Sequence, residues 1–212
     1  MPSGFISRRF FIMAQTKRYP AVFLDRDGTL IEDMGYIDVP DKIQVIDGAI
    51  KAVKFLNKMG FKTIIVSNQS GVARGYFNED TVKLINDKVI GLFKQQEAII
   101  DAVYYCPHHP KYGNQIYKKD CECRKPKPGM ILKAVDEYKI DLSKSIFIGD
   151  KYTDVLTGKN LHLFSILVLT GFGKKENEII KSDDLIPKPD LITEDILQAV
   201  SYIKSEFLKY HG

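Results

Sequence analysis

The 212-residue chain contains no tryptophan, only three cysteines and four histidines. No apolar run approaches the ~20 residues needed to cross a bilayer, so no membrane-spanning helix is expected. An odd, small cysteine count argues against a disulfide framework. Acid is missing from the first nineteen residues, which carry Arg8, Arg9, Lys17 and Arg18; these account for the whole net charge of +4 and leave 27 basic against 27 acidic side chains in the remainder. A body so balanced lacks the basic face that nucleic-acid binding requires. The twin arginine resembles the start of an export signal, but only Phe10 to Ala14 form an apolar run behind it, too short for an h-region. We therefore expect residues 1–19 to be a flexible basic lead, with Met13 a candidate initiator, and residues 20–212 to form one cytoplasmic, monomeric domain with no membrane or nucleic-acid partner. A content of 44% hydrophobic and 27% charged residues is enough for one well-filled core.

What is present is an alternation. Short apolar runs recur as "AVFL" from Ala21, "KTIIVS" from Lys62, "DAVYYC" from Asp101, "SIFIG" from Ser145 and "FSILVLT" from Phe164, each with the length and composition of a buried strand. Helical patterns separate them. The clearest runs from Asp47 to Gly60; others open at Asn78, Pro128 and Thr193, each with a capping residue or first-turn proline. Strand and helix in alternation predict an α/β, doubly wound, mostly parallel sheet, in which ligands bind outside the carboxyl ends of the strands.

Polar residues stand where such a site should be. The first strand runs into Asp25 and Asp27, two acids that repel unless a cation or a proton lies between them. The second ends at "SNQSG", Ser67 to Gly71; "SIFIG" ends at Asp150 in "GDKYTD"; Lys125 precedes a helix in "CRKPKPG". A lone D-x-D-G is as readily a turn with a helix cap. Four strand ends supplying compatible groups point instead to one phosphate site. Asp25 is then the nucleophile, and Mg²⁺ between Asp25, the Asp27 carbonyl and Asp150 offsets the charge of anion attacking anion. Asp27 is the general acid and base. Gly28 turns the chain, Ser67 and the Asn68 amide donate to the phosphoryl oxygens, and Lys125 neutralises them. Asp154, one turn beyond Asp150, orients Lys125 or a metal-bound water.

These motifs resemble the haloacid dehalogenase superfamily, whose D-x-D-G-T, Ser/Thr, Lys and G-D-x-x-x-D elements match Asp25 to Thr29, Ser67, Lys125 and Asp150 to Asp154, over about residues 20–172. More narrowly, "DRDGT", "SNQSGVARG", "CPHH" and "CRKPKPGM" resemble the D-glycero-D-manno-heptose 1,7-bisphosphate phosphatases, with the histidinol-phosphatases as a related branch. The resemblance implies a Rossmann-like fold and loss of the 7-phosphate from the sugar through an aspartyl-phosphate, on the way to nucleotide-activated heptose for surface polysaccharide. Histidinol phosphate is the alternative substrate. A catalytically silent phosphosugar-binding zinc module would show a decayed catalytic position, and none is decayed. Substrate contacts are implied for Asp33, Gly35 and Tyr36 of the "EDMGY" loop, for Ser67, Asn68, Gln69 and Ser70, and for Arg124 and Lys125.

All three cysteines fall within eighteen residues. Cys106, Cys121 and Cys123 with a histidine give C-x-H-x12-C-x-C, a ligand set suited to tetrahedral, structural zinc. Spacing leaves His108 and His109 both open; the family pattern favours His108. Because Arg124 and Lys125 follow Cys123 directly, zinc would set where those cations point. Between Asp27 and Ser67 there is no room for a large cap domain, so the zinc loop and the "EDMGY" loop are expected to shape the mouth. Lys111, Lys118 and Lys119 are expected to face water, and Arg124 to read a second phosphate or a sugar oxygen.

Overall fold

A computed structural model describes residues 17–207. Six strands, β1 (Ala21–Leu24), β2 (Lys62–Asn68), β3 (Ala102–Cys106), β4 (Ile146–Gly149), β5 (Phe164–Val168) and β6 (Leu191–Thr193), form one sheet in the order β3-β2-β1-β4-β5-β6, every pair parallel. The order reverses between β1 and β4, which opens a crevice at their carboxyl ends. These two central strands are buried throughout, which is why they read as unbroken apolar runs. Alternation along them divides the core: Val22, Leu24 and Ile148 pack on one face, Ala21, Phe23 and Phe147 on the other.

The helices are α1 (Ala49–Lys58), α2 (Glu79–Gln95), α3 (Gly129–Tyr138), α4 (Tyr152–Lys159), α5 (Gly173–Ser182) and α6 (Ile196–Tyr202). Helix α2 begins where expected, the Asn78 side chain accepting from the Thr81 amide at 2.9 Å. The last helix starts later than Thr193: Asp195 caps it by accepting from the Gln198 amide at 2.8 Å, and Thr193 ends β6 instead. Strand β6, at three residues, is too short to show alternation, and α5, "GKKENEIIKS", has too few apolar residues to declare its face. The basic lead expected over residues 1–19 lies, through residue 16, outside the described residues; Tyr19 already exchanges backbone hydrogen bonds with Lys139 and Asp141. No described helix is long and apolar enough to cross a membrane.

Candidate active site

Asp25 leaves β1 with its amide still on the ladder, donating to Ile148 O at 3.0 Å, and its Oδ1 accepts from the Arg26 amide at 2.8 Å. The chain then turns through Gly28 in the left-handed region, φ +82°, where a Cβ would stand 2.1 Å from Asp150 Oδ2. Gly171, φ +53° in the loop after β5, approaches the same oxygen, and its Cβ would lie 2.3 Å away. Asp150 is thus enclosed between two glycines that only the fold brings together. Its Oδ2 accepts from the Phe172 amide at 2.8 Å, while Oδ1 is buried without a hydrogen-bond partner.

Lys125, 3% exposed, donates to Val66 O at 2.8 Å and forms ion pairs with Asp25 Oδ1 at 2.9 Å and Asp154 Oδ1 at 2.7 Å. The Asn68 side-chain amide clamps its backbone, accepting from Lys125 N at 3.0 Å and donating to Lys125 O at 3.1 Å. Burial disfavours a charged Asp25, but Lys125 and Lys151 outweigh it and hold the carboxyl below its ordinary range. Burial, then the Asp25 charge, pushes Asp150 up to about 8. Burial raises Asp154 to about 6, against the pull of Lys125. The ligand oxygens of Asp25, Asp150 and Asp154 converge within 4.8 Å. Hard oxygen donors, one of them orphaned, with a carboxyl kept protonated by its neighbours, suit a divalent cation such as Mg²⁺.

The Asp27 side chain turns away from that cluster. Arg26, 2% exposed, holds it through Nη2 at 3.0 and 3.1 Å and Nε at 3.2 Å, and is itself fixed by Asn86 Oδ1 of α2 at 2.7 Å from Nη1. Gln69 Nε2 bridges Asp27 Oδ2 at 2.9 Å and Ser67 Oγ at 2.8 Å. Above lies a cleft of about 290 Å³ lined by Asp27, Asp33, Gly35, Tyr36, residues 68–71, Lys151 and Phe172. Asp33 accepts from the Gly35 amide at 2.9 Å and pairs with Lys151 at 2.9 Å, so the "EDMGY" loop is tied to the residue after Asp150.

In the second cluster the three sulfurs lie 3.1, 3.2 and 3.4 Å apart, too far for a disulfide, and His108 Nδ1 is 3.3 Å from Cys123 Sγ and 3.7 Å from Cys106 Sγ. Tetrahedral ligands about 2.3 Å from zinc would stand slightly wider, so the residues fit that ion. A hydrogen bond from Cys106 brings the Cys123 thiol down to about 5, a thiolate well suited to a cation. His109 is elsewhere, accepting from the Lys111 amide at 3.0 Å and packing on Tyr112. The loop is braced by Glu79 at the start of α2, which accepts from Tyr105 at 2.8 Å and Tyr117 at 3.0 Å.

Comparison with known proteins decides the family. A HAD-hydrolase-like family model matches residues 122–199. The D-glycero-beta-D-manno-heptose-1,7-bisphosphate 7-phosphatase of Haemophilus influenzae is 47% identical over 152 residues, 71% of this chain and 82% of that protein. Its Escherichia coli K12 counterpart is 41% identical over 156 residues, 73% and 82%. The chain belongs to this phosphatase family. Among solved structures, the D,D-heptose 1,7-bisphosphate phosphatase of B. bronchiseptica, crystallised with magnesium and phosphate, matches with a TM-score of 0.78 at 29% identity, covering 88% of this chain and 99% of that one.

For a heptose-bisphosphate-phosphatase family member, the residues read from the sequence are gathered with two differences of placement. Ser67 is outside the cleft lining, its Oγ accepting from Gln69 Nε2, and Arg124 also stands outside it, one guanidinium nitrogen donating to His108 O at 3.0 Å. Sequence reasoning passed over Arg26, Asn86, Lys151, Gly171 and Phe172. Lys151 carried a signal, following Asp150 directly; so did "TGFG", a glycine pair at a strand end. Asn86 carried none, being one polar residue on an amphipathic helix.

Proposed function

We propose that this protein hydrolyses the 7-phosphate of D-glycero-beta-D-manno-heptose 1,7-bisphosphate through an aspartyl-phosphate on Asp25. The observation that carries the reading is the Asp25–Lys125–Asp154 ion cluster beside Asp150, at the sheet's reversal point and under a cleft walled by the Asp33–Tyr36 loop. An Asp25 oxygen attacks phosphorus as the bond to the sugar oxygen breaks, and Asp27 gives that oxygen its proton. Asp27 then takes a proton from water attacking the phosphorus; the Asp25–phosphorus bond breaks and inorganic phosphate leaves. Ser67 and the Asn68 backbone amide donate to the phosphoryl oxygens, and Lys125 keeps Asp25 ionised and offsets developing charge. Asp25, Asp150 and the Asp27 carbonyl would hold Mg²⁺, which neutralises charge between nucleophile and phosphate.

Cys106, His108, Cys121 and Cys123 would hold structural zinc, placing Arg124 toward the sugar and Lys125 at the phosphate. We infer a small phosphosugar as its partner and the cytoplasm as its compartment, a reading that the phosphosugar chemistry of its relatives supports. Purified protein assayed against a panel of phosphate esters tests the reading. The heptose bisphosphate should be turned over fastest; faster turnover of histidinol phosphate would replace it.

A further inference from the structure

Asp27 can serve as acid and base only if its carboxyl is held in one direction. Arg26 and Asp27 are neighbours in the chain, so the fork that joins them, Nη2 to the two carboxylate oxygens at 3.1 and 3.0 Å and Nε to Oδ1 at 3.2 Å, ties two side chains that move with one loop. A fixed direction needs an anchor elsewhere in the fold. Gln69, just after β2, supplies one from the cleft side, its Nε2 donating to Asp27 Oδ2 at 2.9 Å. Asn86 of α2 supplies the other, its Oδ1 accepting from Arg26 Nη1 at 2.7 Å although 60 positions separate the two residues.

Asn86 is an exception on its helix. The other buried residues of α2 are Val82, Ile85, Val89 and Phe93, all apolar, whereas Asn86 is only 7% exposed and carries an amide. A buried amide is costly unless it is bonded, and a leucine would cover the same face without that cost. Its lack of charge matters as well. Lys125 divides its charge between two carboxylates, Asp25 and Asp154. Arg26, among the described residues, pairs with Asp27 alone; Asn86 engages the far nitrogen as a neutral acceptor and leaves the charge of the fork to Asp27. Asn86 is not among the residues that line the cleft, so its route to the reaction runs through Arg26.

We propose that Asn86 is a positioning residue for the general acid: by holding Arg26 from α2, it fixes the Asp27 carboxyl where it protonates the departing sugar oxygen. The inference rests on the reading of Asp27 as the acid in the hydrolysis above. It adds a residue from outside the cleft to that step, and the step it governs is the departure of the alcohol.

The test varies the leaving group. An alkyl oxygen leaves poorly without a proton, whereas 4-nitrophenolate leaves as the anion, and kcat/KM reports the steps only as far as that departure. In Asn86→Leu, kcat/KM for heptose 1,7-bisphosphate should fall about ten- to hundredfold, the scale of a misplaced acid, while kcat/KM for 4-nitrophenyl phosphate stays within about threefold of the wild type. Arg26→Lys keeps the charge without the fork and should show the same selective loss, which decides the matter if the leucine variant does not fold. Equal losses on both esters, or no loss on the sugar ester, would overturn the proposal. Asp27→Asn separates the inference from the reading beneath it. If Asp27→Asn loses both esters alike, Asp27 is not the acid; a selective loss in Asp27→Asn with none in Asn86→Leu removes Asn86 alone. Faster wild-type turnover of histidinol phosphate would replace the heptose reading, and the same comparison then runs on that alkyl ester.

Discussion

The two clusters of this protein solve the problem of convergent anionic ligands in opposite ways. Asp25 comes from a position more than a hundred residues before Asp150 and Asp154, and all three are buried where β1 and β4 end. Their repulsion is relieved from within, by Lys125 and Lys151, and incompletely, since Asp150 stays near 8. The Cys106–Cys123 cluster is local and partly exposed, and has no protein cation among its four residues; its thiols and imidazole fit a metal ion. A site built by the fold keeps its shape when its ion leaves, whereas a site built by a loop does not.

The sharpest way to break the symmetry is at the nucleophile. Asp25→Asn should lower kcat on the order of 10⁴-fold or more while the melting curve stays near that of the wild type, because the amide is nearly isosteric. Substantial residual phosphate release would remove Asp25 from its role. Lys125→Ala should cost both activity and about 3–5 kcal/mol of stability in chemical denaturation, since two buried carboxylates lose their partner. A loss below 1 kcal/mol would mean that the cluster neutralises itself by other means.

Cys121→Ser attacks the other cluster. Zinc measured by elemental analysis should drop from near one equivalent, and Tm should fall by about 5 °C or more, roughly 2 kcal/mol for a chain of this size. No zinc in the wild-type protein would refute the assignment. A pH comparison then separates the two metals. Asp150 has a folded-state value of about 8 against an ordinary 3.8, so the metal-free fold binds more protons than the unfolded chain between those values. Its contribution to stability is full below the ordinary value and is lost as pH rises through about 8. Mg²⁺ requires the ionised carboxylate, so its affinity should fall by up to about tenfold per pH unit below 8, and its stabilisation should be larger at pH 8.5 than at pH 6. Equal Mg²⁺ affinity at both would contradict the shift.

The smallest expected effect distinguishes two glycines of like conformation. Gly60→Ala, at φ +84° with nothing within 4 Å, should cost only about 1–2 kcal/mol of backbone strain. Gly171→Ala should add a loss of the Mg²⁺-induced shift in Tm, because its Cβ would displace Asp150. Identical behaviour of the two variants would show that Asp150 can move.

Much of this was legible because the signals were local. Buried parallel strands announce themselves as apolar runs, Asp25, Ser67 and Asp150 each stand within two residues of a strand end, and Lys125 lies four residues before α3. The cysteine spacing marked its cluster unaided, although the choice of His108 needed family resemblance and then geometry. Residues without such punctuation were missed. Asn86 shows nothing in sequence of its bond to Arg26.

The sequence by itself determined the strand–helix alternation, the groups available for phosphoryl chemistry and the composition of both candidate metal sites, since those depend on residue type and near spacing. The tertiary structure alone decided which groups touch: that Lys125 is shared by Asp25 and Asp154, that Gly28 and Gly171 together enclose Asp150, and that Asp27 is held by Arg26 and Gln69. Charge, burial and contact are properties of neighbours in space, and a parallel sheet makes neighbours of strands separated by more than a hundred residues.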